Sequence, residues 1–215
     1  MKEFGDHLEF YSTHWFMHFS KDNPETIWGD KILAKSYLTK YWLPFTEHQK
    51  IWMPMLENIF SNKIGLPYLM FRDTYNMIAS SGGCLFLEQD FLQLQKCMLE
   101  LNEEYFVVIE NTFHGIENEP PFYMKFPVKI TWDELMSGNY ISAVIFETNY
   151  KEFFVFSKSN LWGKYAASDY DQPLDLIGFK PECEKIFRKE FVQSEEERSQ
   201  VIDLLPREYI PFIKR

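Results

Sequence analysis

Cysteine is scarce in this sequence: Cys84, Cys97 and Cys183 are the only thiols in 215 residues. An odd number leaves one unpaired, no pair has zinc-finger spacing, and Cys-x-x-Cys does not occur, which excludes a disulfide framework and a zinc ribbon. Core thiols in a reducing cytosol are expected instead. Long hydrophobic runs are missing too. No stretch approaches the roughly 18 uninterrupted apolar residues of a membrane span. The opening MKEFGDHLEF is too acidic and too polar for a signal peptide, so a soluble, cytoplasmic chain is expected. Positive charge is in deficit, with 22 Lys and Arg against 32 Asp and Glu, a net charge of −10. Phosphate backbones and anionic lipid repel such a chain, so neither nucleic acid nor a membrane is an expected partner. A basic protein surface is attracted.

Motifs of cofactor chemistry are lacking as well. SSGG at 80–83, followed by Cys84, has neither the Lys and Ser/Thr of a phosphate-binding loop nor the residues of a nucleophile elbow. Its glycines read as a helix C-cap and a turn. His14 and His18 stand at i and i+4 with His7 on the same edge, but Trp15 occupies the place of a zinc-protease glutamate and no third ligand can be named. No cofactor and no metal are expected.

What is abundant is aromatic residues, 18% of the chain, as 21 Phe, 12 Tyr and 6 Trp. Not all can be buried with their polar tips satisfied, so some are expected to line a surface or groove. Hydrophobic residues at 46% and charged residues at 25% are an ordinary globular balance that argues against disorder.

The first hundred residues read as helical. Phe4, Leu8, Tyr11, Trp15 and Phe19 recur on one helix face, and Asn23-Pro24 opens a second helix toward Trp42. Thr46 and Gln49 cap a third segment reaching Phe60, with a kink or break expected at Pro54. IGLPYLMFRDTYNMIASSGG is ambiguous and is assigned a short helix ended by Gly82-Gly83. The clearest helix carries Leu87, Phe91, Leu94, Met98, Leu101 and Tyr105 on one stripe, flanked by Leu92 and Leu99.

Past Glu104 the period turns extended. YFVVIE is a buried strand, a loop passes through His114, and FYMKFPVKI is extended with Pro127 favouring a sheet edge. Thr131 and Glu134 form a capping box for a short helix closed by Gly138. YISAVIFE, EFFVFS and LWGKYAAS follow with short turns, an antiparallel meander to which LDLIGF adds a further strand. Pro181 opens a helix to Phe191, and Ser194 with Glu197 boxes a last one that Pro206 stops. The expected fold is α+β over 1–215: a mainly helical part (about 1–104) packed on one face of a mostly antiparallel sheet (about 105–215), with C-terminal helices.

Candidate binding residues fall in two places. From Cys97 to Met124 there are six Glu and no Lys or Arg, and within that stretch Glu110, His114, Glu117 and Glu119 surround a long loop. In LWGKYAASDYD, Trp162 and Lys164 share one strand face, with Gly163 and Tyr165 on the other. A glycine inside a strand marks a bulge or a close approach by another group, here an aromatic ring. Asp169, Tyr170 and Asp171, with Asp175 further on, read first as a turn and second as part of a partner surface. An acidic, aromatic-rich, cysteine-poor α+β chain of this length is similar in style to bacterial immunity proteins that neutralise toxins, a resemblance of composition and not of motif. It implies a non-enzymatic domain that holds a basic protein partner. The alternative is a small hydrolase-like enzyme with a pocket between helices and sheet, using His114 or the Asp169/Asp171 pair.

Overall fold

A computed structural model describes residues 36–37, 39–82, 85–111, 123–137, 152–167 and 174–213. The expected helix over Phe4–Phe19, the start of the helix expected from Asn23, the strand YISAVIFE, and the residues Cys84, Gly138, His7, His14 and His18 lie outside them; the end of that second helix, at 36–37 and 39–41, is helical as expected.

The third expected segment is a run of helix, α1, in three pieces: Phe45–Glu47, a π-helical turn His48–Trp52, and Met53–Ile59; it starts after Pro44 with no side-chain cap, so Thr46 lies inside the helix and does not cap it. The π turn is the break expected from Pro54. Proline brings no N–H to the ladder, and a wider turn just before it accommodates the missing donor. It places His48 and Trp52 together in the interior, both buried.

Six strands follow among the described residues: β1 (Asn76–Ser81), β2 (Tyr105–Glu110), β3 (Tyr123–Pro127), β4 (Phe153–Ser157), β5 (Trp162–Ala167) and β6 (Leu174–Phe179). They form one antiparallel sheet in the order β1-β6-β5-β4-β2-β3. The α+β class is as expected, and Pro127 does lie on an edge strand. β1 is a correction: NMIASS is a strand where a helix was expected. The apolar run Met77–Ala79 is too short for its period to separate strand from helix, and its pairing with Leu176–Gly178 decided the matter. Gly82, which follows Ser81, therefore ends no helix, and Gly83 lies outside the described residues.

The helices are α2 (Glu88–Glu100), α3 (Trp132–Ser137), α4 (Glu184–Glu190), α5 (Glu195–Leu204) and α6 (Ile210–Ile213). Of the three expected capping boxes two leave their mark: Glu134 N donates to Thr131 Oγ1 at 3.1 Å, and Ser194 and Glu197 cap each other reciprocally at α5. Asn102, at φ 57°, takes the left-handed position after α2, so that Glu103 N returns to Met98 O at 2.9 Å and β2 begins two residues later.

Helices cover both faces of the sheet, not one as expected. Phe91, Leu94, Cys97 and Met98 of α2, Leu135 of α3 and Phe187 of α4 pack on Ile78, Phe106, Val108, Val155, Trp162 and Phe179. Trp52, Leu56 and Ile59 of α1, Val201 of α5 and Ile213 of α6 pack on Met77, Val107, Phe154, Phe156, Tyr165 and Leu176. Two cores explain two features of the sequence. FFVF shows no polar alternation because β4 is buried on both faces. The aromatic excess fills the cores, and Tyr68 and Tyr105 are the exposed aromatics among the described residues. Cys97 and Cys183 are buried thiols, which burial pushes up to about 12 and about 11.

The sheet edges are covered as well. Leu43 N donates to Tyr123 O at 3.0 Å beside a Trp42–Met124 bridge on β3, and Gln193 Nε2 donates to Ala79 O at 2.6 Å on β1. Tyr123 O and Ala79 O, edge groups that could otherwise template another strand, are thereby satisfied.

Candidate functional site

The residues of LWGKYAA lie in the middle of the sheet. Trp162 is 0% exposed, Lys164 2% and Tyr165 0%, so the side chains expected at a partner surface belong to the interior. The reason is position: β5 has β6 on one side and β4 on the other, with a helical layer over each face. Gly163 is indeed roofed by an aromatic ring, but the ring comes from the end of α1 and not from β4. A Cβ at Gly163 would sit 2.8 Å from Phe60 Cζ and 2.8 Å from Ile59 Cγ2.

Lys164 forms a buried ion pair with Asp175. Its Nζ donates to Asp175 Oδ2 at 3.3 Å and to Leu85 O at 2.7 Å, beneath the Phe86 ring. Asp175, read from sequence as part of a turn, is a strand residue of β6. Burial pushes its carboxyl up to about 6 against the pull of Lys164, and Oδ1 has no hydrogen-bond partner among the described residues. The pair ties the lead into α2 to the centre of the sheet.

The acidic stretch is dispersed. Glu100 pairs with Lys189 at 3.4 Å, Glu103 accepts from Ser157 at 2.6 Å and also from Ser159, and Glu110 is 5% exposed, which corrects its expected place on a partner surface. His114, Glu117, Glu119, Asp169, Tyr170 and Asp171 lie outside the described residues.

A cavity of about 390 Å³ opens between α1 and the sheet. Met53, Leu56, Ile109 and Phe154 form its apolar wall, and His48, Lys63, Glu110, Asn111 and Tyr123 its polar one. His48 is 2% exposed and stacks on Tyr123 with ring centroids 4.0 Å apart and planes 10° apart. Neither of its ring nitrogens has a hydrogen-bond partner among the described residues. Burial first, and then the Lys63 charge, lower its pKa to about 4, so the imidazole is neutral at pH 7 and offers one donor and one acceptor. Asn111 connects this wall to a buried polar group: its Nδ2 donates to Glu152 Oε2 at 3.2 Å and to the Tyr165 hydroxyl at 3.4 Å, while Tyr165 donates to Glu152. Burial, and then the Glu152 charge, hold the Tyr165 phenol protonated.

Sequence reasoning passed over His48, Lys63, Asn111 and Glu152. The one available signal was Pro54, since a π turn beside it rotates His48 inward, and such turns recur at functional sites.

A pH dependence follows from His48. The unfolded imidazole takes its proton near 6.5 and the folded one only near 4, so between these values the unfolded state binds more protons and acid removes stability. His48→Phe keeps the ring on Tyr123 and deletes the titration. Urea unfolding at pH 7.5 and 4.5 is expected to show the wild type losing up to about 3 kcal/mol more than the variant over that interval. Equal losses would place His48 in contact with water.

No metal-ligating group of three or more His, Cys, Asp or Glu side chains occurs among the described residues, and none of the described helices is long and apolar enough to cross a membrane. No protein family model, curated protein or solved structure matches the chain.

Proposed function

We propose that this chain is a non-enzymatic binding domain for a protein partner with a basic surface, in the manner of an immunity protein holding a toxin. One observation carries the reading: the loop from Ser61 to Met70 is held rigid on its inner side while its outer side presents apolar groups to solvent. Ser61 N donates to Met70 O at 2.8 Å, closing the loop beside the Phe60–Phe71 bridge. Inside it, Asn62 Oδ1 accepts from Ile64 N at 2.8 Å and Gly65 N at 2.9 Å. Gly65 stands at φ 110°, where a side chain would be strained. Below the loop, the buried Tyr209 hydroxyl accepts from Met70 N at 3.0 Å and donates to Tyr68 O. Tyr68 is nonetheless 58% exposed, with Ile64 at 39% and Leu69 at 36%.

A preorganised aromatic flanked by aliphatic groups loses little entropy on docking, which is what an interface anchor requires. The net charge of −10 supplies attraction for a basic partner at long range. The test is capture from a lysate of the source cells, with the wild-type chain and a Tyr68→Ala/Leu69→Ala variant as paired baits. A basic protein held by the wild type and at least about tenfold less by the variant is expected, with association slowing on the order of tenfold between low and physiological salt. Retention indifferent to both the substitutions and salt would remove this reading.

A further inference from the structure

We propose that the cavity beside the stacked His48 and Tyr123 rings binds a small uncharged molecule with an apolar body and one carbonyl oxygen, which accepts from the Tyr123 hydroxyl. The cavity lies on the sheet side of α1, and its occupant needs no protein partner at Tyr68. Cross-strand pairing sets Tyr123 of β3 opposite Ile109 of β2, and Ile109 opposite Phe154 of β4, so the three side chains form one row on the sheet. Met53 and Leu56 of α1 close that row into a cavity of about 390 Å³, within the lower part of the range for small-molecule sites.

Tyr123 is 8% exposed, and its ring lies flat on His48. Its hydroxyl makes no hydrogen bond with any described residue, yet it keeps open surface, whereas both His48 nitrogens are shut away. A tyrosine hydroxyl in so buried a place usually has a partner. Burial first, and then the Glu110 charge, keep the phenol protonated, so it presents a donor. The charges around the two rings disfavour an ion. Beyond burial, Lys63 is the charge that acts on His48, and Glu110 the charge that acts on Tyr123. A cation entering between them is opposed by Lys63 and an anion by Glu110. Lys63 is also held by Glu57 Oε1 at 2.8 Å, which removes it as a counter-ion for a carboxylate ligand. The Asn111 amide nitrogen is turned to Glu152 and Tyr165. Apolar surface and the Tyr123 hydroxyl are left to meet a ligand, and a carbonyl on a hydrocarbon body matches both.

The experiment uses the full chain with isotope-labelled tyrosine, titrated with acetophenone, ethylbenzene, benzylammonium and benzoate while the Tyr123 ring resonances are followed. Acetophenone is expected to shift those resonances and to bind about fivefold more tightly than ethylbenzene, the worth of one neutral hydrogen bond. Both ions should bind at least about tenfold more weakly than acetophenone. Tyr123→Phe keeps the ring on His48 and deletes the hydroxyl. With affinities read from the ligands' own resonances, it should bring acetophenone down to the level of ethylbenzene and leave ethylbenzene unchanged. Met53→Trp, at a half-buried position on the α1 side, should fill the cavity and weaken both neutral probes by about tenfold. Either ion binding more tightly than acetophenone, acetophenone binding that ignores Tyr123→Phe or Met53→Trp, or Tyr123 resonances that no probe moves would each overturn the proposal.

Discussion

Gly178→Ala is expected to destabilise the protein by about 3 kcal/mol, the upper end of the usual range for adding one methyl to a filled core. A Cβ on Gly178 would stand 2.4 Å from Phe71 Cδ1, well inside contact distance. The cross-strand partner of Gly178 is Gly163, itself roofed by Phe60, and the Phe60 and Phe71 rings lie 5.1 Å apart over the glycine pair. Two facing glycines thus make a trough in β5 and β6 that two rings fill. Phe71 is joined to Phe60 by a bridge and cannot lift without disturbing the loop that follows α1. Urea unfolding should show the midpoint fall by roughly 1.5 M for a chain of this size. Phe71→Ala alone leaves a cavity and is expected to lose about 3–5 kcal/mol. Combined, the two substitutions should lose clearly less than their sum, because the methyl enters space the ring has vacated. Simple additivity would show that ring and glycine do not meet.

Lys164→Met should lose about 3–5 kcal/mol at neutral pH, since it leaves the Asp175 carboxylate in the core without its cation. The loss should depend on pH in a definite direction. The Asp175 carboxyl has an ordinary value of 3.8 and a folded one of about 6, so the folded state binds the extra proton between them. Its contribution is complete below 3.8 and declines as pH rises through 6. Lys164 lowers the folded value; without it the decline extends to higher pH. The difference between wild type and variant should therefore be smallest near pH 5 and grow toward pH 8. A gap that stays constant with pH would leave Lys164 acting only through Leu85. Adding Asp175→Leu should recover most of the loss, because two apolar side chains replace a pair whose desolvation offsets much of its attraction. His48 works in the opposite sense over the same acid range, so the wild-type profile is the sum of one group losing stability and one gaining it.

The elements legible in the sequence were those with local signals. The α2 stripe from Phe91 to Met98, the capping boxes at Thr131 and Ser194, Pro127 on an edge strand and the strands β4, β5 and β6 were all readable within a dozen residues, whereas the cap expected at Thr46 is absent, because that helix already starts at Phe45, after Pro44. β1 was not, because NMIASS owes its conformation to β6, about a hundred residues away. Of the candidate residues, Gly163 was read correctly as a point of close approach. The exposure of Trp162, Lys164, Tyr165 and Glu110 was misjudged, since nothing local reports that a strand has neighbours on both sides and a helical layer over each face.

The sequence by itself determined the class, the periods of the long elements, the scarcity of reactive thiols and the sign of the electrostatic field, because each depends on composition or on residues near one another in the chain. Only the tertiary structure decided that the aromatics fill two cores, that Lys164 and Asp175 meet inside, and that His48, Glu110, Asn111 and Tyr123 line one cavity. Those are distances between residues far apart in the chain, and they are fixed by which faces bury each other.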